Sequence, residues 1–272
     1  MPELPEVETT LRGIKPHLVG QKVINVTVRH PRLRWPIPSD IKNHLEGQTI
    51  RRLYRRGKYL LFEFKHGTMI LHLGMSGRLC VLSKPTPAQK HDHVDIHFAN
   101  HRYLRFTDPR RFGALLWTSE DPMTHPLLAI IGPEPLSKDF DGDYLYHQSR
   151  NRKVSVKSFV MNSAIVAGVG NIYATEALFQ AGIHPHLSAG KISREKYQTL
   201  ATAIKQILKK AIEKGGTTLK DFMKSDGTPG YFRIELKVYG HGGEPCPHCH
   251  TKLASTRLGQ RSTVYCRKCQ RK

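Results

Sequence analysis

Thr49-Ile-Arg-Arg-Leu-Tyr54, Tyr59-Leu-Leu-Phe-Glu-Phe64 and Thr68-Met-Ile-Leu-His-Leu73 are short runs of aliphatic, aromatic and β-branched residues, parted only by Arg55-Arg-Gly-Lys58 and Lys65-His-Gly67. Runs of this length and composition with turn residues between them predict antiparallel strands, and Lys65-His66-Gly67 reads as a hairpin turn. Working outward, Lys22–Val28 on one side and Val94–Phe98, Tyr103–Phe106 and Ala114–Trp117 on the other keep the same character. Residues 22–117 therefore predict an antiparallel sandwich or barrel. A helix precedes them: Val7, Leu11, Ile14 and Leu18 recur at helical spacing, Pro5 suits a first turn, and Pro16 marks a kink or the last turns.

Beyond residue 131 the character changes. Gly132-Pro-Glu-Pro135 and Asp141-Gly-Asp143 are turn-rich and predict a boundary, with residues 134–150 as a linker. Helical patterns follow. In Ser193–Lys214, Tyr197, Leu200, Ala201, Ile204, Ile207, Leu208, Ala211 and Ile212 form one apolar face, closed by Gly215-Gly216. The division expected is a β-domain with its leading helix (1–133), the linker, a helical domain (151–237) and a C-terminal metal-bound segment (238–272). The fold class is α+β, multidomain.

The 272 residues include 43 Lys and Arg against 22 Asp and Glu, a formal net charge of +21. Such an excess points to a polyanionic partner, nucleic acid above all. A ribosomal-type RNA binder or an anionic-membrane binder are the alternatives. No apolar run is long enough to span a bilayer, and the acidic N-terminus is unlike a signal peptide, so a cytoplasmic protein without membrane attachment is expected.

Cys246-Pro-His-Cys249 and Cys266-Arg-Lys-Cys269, sixteen residues apart, match a structural four-thiolate zinc site. The cofactor expected is one structural Zn²⁺ in a ribbon. Two disulfides or a redox pair are the competing readings, disfavoured in a reducing compartment. His248 and His250 could ligate, but four cysteines complete the set. Cys80 stands apart and reads as an inert thiol. The ribbon carries Arg257, Arg261, Arg267 and Lys268 against the acid Glu244, which suits phosphates.

Pro2 follows the initiator Met1. Once Met1 is removed, its nitrogen is a secondary amine. An α-amino group titrates near 8 and a lysine near 10.4, so roughly a hundredfold more of the former is neutral at pH 7. Attack on a sugar C1′ needs that lone pair, and a secondary amine gives a cationic iminium directly. Glu3 and Glu6 are near in sequence and suit proton transfer. Proline in second place is common, so alone it says little.

The run Met1-Pro-Glu-Leu-Pro-Glu-Val-Glu8 resembles the start of the formamidopyrimidine-DNA glycosylases, bacterial enzymes that repair oxidised purines. The resemblance continues through Arg56-Gly-Lys-Tyr-Leu60, His72-Leu-Gly-Met-Ser-Gly77, His91-Asp-His-Val-Asp95, Asp108-Pro-Arg-Arg-Phe-Gly113, Gly168-Val-Gly-Asn-Ile-Tyr173, Gly215-Gly-Thr-Thr-Leu-Lys-Asp-Phe222, Glu235-Leu-Lys-Val-Tyr-Gly240 and the cysteine pairs. It implies an N-terminal β-sandwich, a helix–two-turns–helix module and a zinc ribbon. It also implies Pro2 as Schiff-base nucleophile, Glu3 as general acid and Lys58 as a phosphate contact that assists the chemistry. Met75, Arg110 and Phe112 would fill the void left by an extruded base, with Arg110 facing the opposite cytosine. Asn171, with Lys157 nearby and Arg261 on the ribbon, would pinch phosphates, and Glu176 would stand near the catalytic amine with Glu6. Lys220 opens a loop, to residue 231, expected to close over the purine. His72 and His91 match positions near the site, with a structural role as the alternative for both.

What the resemblance implies is a bifunctional glycosylase and abasic-site lyase, a monomer acting on duplex DNA with oxidised bases or abasic sites by β,δ-elimination. Two other readings stay open. A sister enzyme resembling endonuclease VIII would prefer oxidised pyrimidines, and a non-catalytic zinc-ribbon protein would bind nucleic acid without turnover.

Overall fold

The computed structural model describes residues 2–215 and 236–271. Lys220 and the loop expected up to residue 231 lie outside the described residues. The chain divides into two compact units, one running to Ala129 and the other comprising Ile130–Lys214 and the described part of Arg233–Lys272.

The first unit opens with α1 (Leu4–Leu18), which buries the predicted Val7, Leu11, Ile14 and Leu18 and also Leu4. Burying five such side chains contributes on the order of 10 kcal/mol before ordering costs. The helix continues through Pro16, in its last turn. Eight strands follow: β1 (Val23–Val28), β2 (Arg52–Arg56), β3 (Tyr59–Phe64), β4 (Gly67–His72), β5 (Arg78–Leu82), β6 (Asp92–Phe98), β7 (Tyr103–Thr107) and β8 (Ala114–Thr118), with the short helices α2 (Ile41–Leu45) and α3 (Pro126–Ala129). They form two antiparallel sheets ordered β1-β6-β7-β5 and β2-β3-β4-β8. One core, from Val7 and Leu11 to Phe98, Phe106 and Leu115, joins α1 to both sheets.

Turns set the registers. Gly57 and Lys58 close the β2–β3 hairpin with Arg56 opposite Tyr59, and Gly57 has φ +56°, as the first central residue of a type II′ turn requires. This carries β2 to Arg56, beyond the Tyr54 expected. Phe64 opposes Gly67 across Lys65-His66, the predicted turn. Strand β5 was not expected; among the described residues it is an edge strand, pairing with β7.

The second unit holds α4 (Gly142–Ser149), α5 (Val156–Met161), α6 (Asn171–Gln180), α7 (Arg194–Glu213) and the hairpin β9 (Ala254–Leu258) and β10 (Arg261–Tyr265). The predicted linker needs correction, because residues 142–149 are helical and pack on α7. Gly142 lies so close to the Gln198 backbone that a Cβ would collide. Helix α7 is capped by Ser193, buries the predicted face except for half-buried Ile207, and ends at Gly215 with φ +81°. The ribbon is not a separate unit: Val238, Cys246, Leu253, Val264 and Cys266 share a core with Phe179 of α6. So short a segment cannot bury enough apolar surface alone. No helix among the described residues is long and apolar enough to cross a membrane.

Candidate functional site

In the first unit, Pro2 and Glu3 are buried at the start of α1. The Glu3 N–H donates to Glu6 Oε2 at 2.9 Å, and Glu6 is wholly buried. Two residues later, Glu8 Oε2 accepts from Arg55 Nε at 3.0 Å, while Arg55 Nη1 donates to Gly57 O at 2.8 Å. This chain of contacts ties the head of α1 to the hairpin turn that carries Lys58. Half-buried charge pairs of this kind are destabilised badly by loss of one partner.

Beside that turn, Tyr59 opposes His72 across β3 and β4, their ring centroids 4.7 Å apart. His72 Nδ1 accepts the Gly74 N–H at 2.9 Å, which leaves Nε2 as the protonated nitrogen of the neutral ring. Burial lowers the His72 pKa to about 4, helped by the nearby charges of Lys58 and Arg34. The Tyr59 hydroxyl is pushed up by burial against an opposing pull from Arg34. Arg34 is thus part of this cationic cluster, although nothing in its local sequence singled it out.

The shift has a thermodynamic consequence. The unfolded chain takes up a proton on His72 near pH 6.5, while the folded chain resists until about 4. Stability contributed at neutral pH is therefore lost as pH falls through that window, by at most about 3 kcal/mol given a partly exposed ring edge. A His72→Asn variant, which keeps an acceptor for Gly74, is expected to lose less unfolding free energy than the parent between pH 7 and pH 4.5 in urea titrations. Equal losses in both proteins contradict this.

Two loops interlock to bring the proposed void-filling residues together. Gly74, at φ +67°, lies against the backbone of Phe112 and Gly113 so closely that no Cβ fits. The Ser76 hydroxyl donates to buried Asp108 Oδ1 at 2.7 Å and accepts the Arg110 N–H at 3.2 Å. Asp108 Oδ2 accepts the Gly113 N–H at 2.8 Å. The backbone at Met75, between Gly74 and Ser76, therefore lies beside the loop of Arg110 and Phe112. The Arg110 guanidinium lies 4.7 Å from the centroid of the Phe112 ring, which is 44% exposed. Arg111 between them has φ +54° and reaches His30 Nε2. His91 flanks this loop, its carbonyl accepting the Asp108 N–H at 3.0 Å. Asp108 heads a motif read for its arginines and phenylalanine; its own role as fastener is visible only in the fold.

In the second unit, Gly170 caps α6 and Asn171 is its first residue. Asn171 Nδ2 donates to Ser262 O at 3.0 Å, next to exposed Arg261 at the start of β10. Two residues expected at the site are held by hydrogen bonds within the fold. Lys157, 1% exposed, donates to Ser262 O and to Thr263 Oγ1. Glu176, 5% exposed, accepts the backbone N–H groups of Lys237, Val238 and Tyr239 at 2.9, 2.9 and 2.7 Å. A carboxylate so occupied fastens the chain that leads into the ribbon.

The four cysteines fit zinc. Their sulfurs all lie within 4.8 Å of one another, with Cys246–Cys269 at 3.9 Å and Cys249–Cys266 at 3.4 Å. A tetrahedron with Zn–S bonds near 2.3 Å has edges of about 3.8 Å. All four ligand positions are filled by protein, so the ion is structural.

Residues 1–115 match the formamidopyrimidine-DNA glycosylase N-terminal domain, 131–223 its H2TH domain, and 243–271 the zinc finger found in FPG and IleRS. The formamidopyrimidine-DNA glycosylase of Stutzerimonas stutzeri (strain A1501) is 59% identical over 271 residues, covering 100% of both chains. The chain belongs to the formamidopyrimidine-DNA glycosylase family. The glycosylase of Pseudomonas savastanoi pv. phaseolicola is 60% identical over the same length, again covering 100% of both chains. Among solved structures, the Lactococcus lactis Fpg bound to abasic-site DNA matches with TM-score 0.91 and 36% identity over 99% of this chain and 100% of that one. A MutM complex with DNA containing carbocyclic 8-oxo-G matches with TM-score 0.91 and 35% identity over 100% of both chains. Family membership fits the sandwich, the helical module and the ribbon as described.

Proposed function

We propose that this chain, a DNA glycosylase and abasic-site lyase, excises oxidised purines from duplex DNA through Pro2 and then cuts the strand. The Pro2 lone pair bonds to C1′ as the damaged base departs, and Glu3 gives a proton to the ring oxygen as the sugar opens. The iminium acidifies C2′, so loss of a C2′ proton expels the 3′ phosphate, and a second elimination expels the 5′ phosphate. A one-nucleotide gap bounded by phosphates remains. Lys58 holds the phosphate beside the lesion, Asn171 and Arg261 hold further phosphates, and Met75, Arg110 and Phe112 occupy the vacated space. Such a substrate places the protein with the nucleoid, in the cytoplasm.

The observation that supports this reading most is the Glu8–Arg55–Gly57 connection, which joins the Pro2–Glu3 end of α1 to the turn bearing Lys58. The zinc supplies folding energy to the ribbon and takes no part in bond making. The reading is tested with duplexes carrying 8-oxoguanine opposite cytosine or thymine glycol opposite adenine. Faster release of 8-oxoguanine with strand scission is expected. Preference for thymine glycol supports the pyrimidine enzyme, and tight binding without turnover supports a non-catalytic binder.

A further inference from the structure

We infer that Lys157 is a positioning residue, which sets Arg261 and Asn171 as one phosphate clamp without touching DNA itself. Its ammonium, on α5, donates to Ser262 O at 2.9 Å and to Thr263 Oγ1 at 2.7 Å. The Thr263 hydroxyl has a single proton, and gives it to Arg261 O at 3.2 Å. Toward Lys157 that hydroxyl can only accept, so the polarity runs one way, from ammonium to hydroxyl to the Arg261 carbonyl. Ser262 O takes its second donor from Asn171 Nδ2 at 3.0 Å. One buried cation therefore fixes the backbone of Arg261, Ser262 and Thr263, and shares an acceptor with the first residue of α6.

The arrangement answers a mechanical need. Arg261 follows Gly259 and Gln260, both left-handed at φ +51° and +60°, in a two-residue hairpin turn. A two-stranded hairpin is marginal alone and would let Arg261 swing. An ammonium, with three donors on a flexible stem, can satisfy two acceptors from a neighbouring helix. Burying it is costly unless it is hydrogen-bonded, and here its bonds converge on the residues that flank the clamp.

The inference rests on the proposed roles of Arg261 and Asn171. Full-length, zinc-loaded K157M, R261Q and the double variant are titrated by anisotropy against a duplex carrying a tetrahydrofuran abasic analogue, across a salt series. K157M and R261Q are each expected to weaken binding roughly tenfold. Each should lower the salt slope by about 0.9, the value of one phosphate. The double variant should be weaker than R261Q by less than K157M costs alone, because only the Asn171 part of the clamp is left to lose. A silent R261Q overturns the phosphate reading of Arg261, and the inference with it. With R261Q active, a silent K157M, or losses that add in the double variant, overturns the inference alone. Should K157M fail to load zinc, T263V and T263S decide: weak binding by T263V with normal binding by T263S supports the strut, and normal binding by T263V overturns it.

Discussion

Blocking the Pro2 nitrogen, by acetylation or by retention of Met1, is expected to abolish base release, strand scission and borohydride trapping together, by three orders of magnitude or more. That is about 4 kcal/mol of transition-state stabilisation. The reason is electronic. In an amide the lone pair is delocalised into the carbonyl, so it cannot bond to C1′, and no iminium can form to carry the eliminations. Lysines are poor substitutes, because roughly a hundredfold less of each is neutral at pH 7. The phosphate contacts are untouched, so binding to an abasic duplex should persist while kcat falls. Single-turnover cleavage assays on protein whose N-terminus is verified by intact mass supply the check. Normal scission by a blocked chain contradicts the nucleophile assignment.

Zinc removal carries the second large effect. Apparent zinc affinities of structural sites are worth about 10–16 kcal/mol. The ribbon's shared core is small, six buried residues including two ligands and one borrowed side chain, Phe179. Without the ion, the sulfurs of Cys246, Cys249, Cys266 and Cys269 have no reason to stay within 4.8 Å of one another, and β10 loses its frame. Arg261 goes with it. A chelated protein, or Cys249→Ser, is expected to bind abasic duplex at least about a hundredfold more weakly, because the proposed contact of Arg261 and the basic face around it are lost together. The β-sandwich, with its separate core, should keep its near-ultraviolet signal. Unchanged binding by zinc-free protein contradicts this account of the ribbon.

Much of the architecture was legible because its determinants are local. Cysteine spacing fixes a ligand set without knowledge of the fold, and Gly57 and Lys65-His66 announce the turns that register β2, β3 and β4. The period of Val7, Leu11, Ile14 and Leu18 marks α1 as plainly. Helix α4 was hidden by ambiguity in one residue type. Asp141 reads as a turn residue, yet its side chain accepts the Tyr144 N–H and starts a helix. Strand β5 was hidden at a sheet edge, where Arg78 and Cys80 interrupt its apolar run.

The site divides in the same way. Pro2, Glu3, Lys58 and the Arg110–Phe112 loop stand in motifs whose neighbours announce them. The partners of Lys157 and Glu176 were not legible, because a charged side chain looks alike in sequence whether it faces a phosphate or a backbone group. Their partners lie 105 residues away at Ser262 and 62 residues away at Val238, distances over which no spacing rule operates. Asp108 is similar: only the fold reveals that it latches the loop of Ser76 to the loop of Gly113.

The most direct test of the central claim is peptide mapping of the borohydride-reduced complex with an abasic duplex. The account predicts a chain that begins at residue 2 and carries the deoxyribose remnant on the proline nitrogen. A remnant mapped to Lys58 or any other lysine, or adduct formation by chains still bearing Met1, contradicts it.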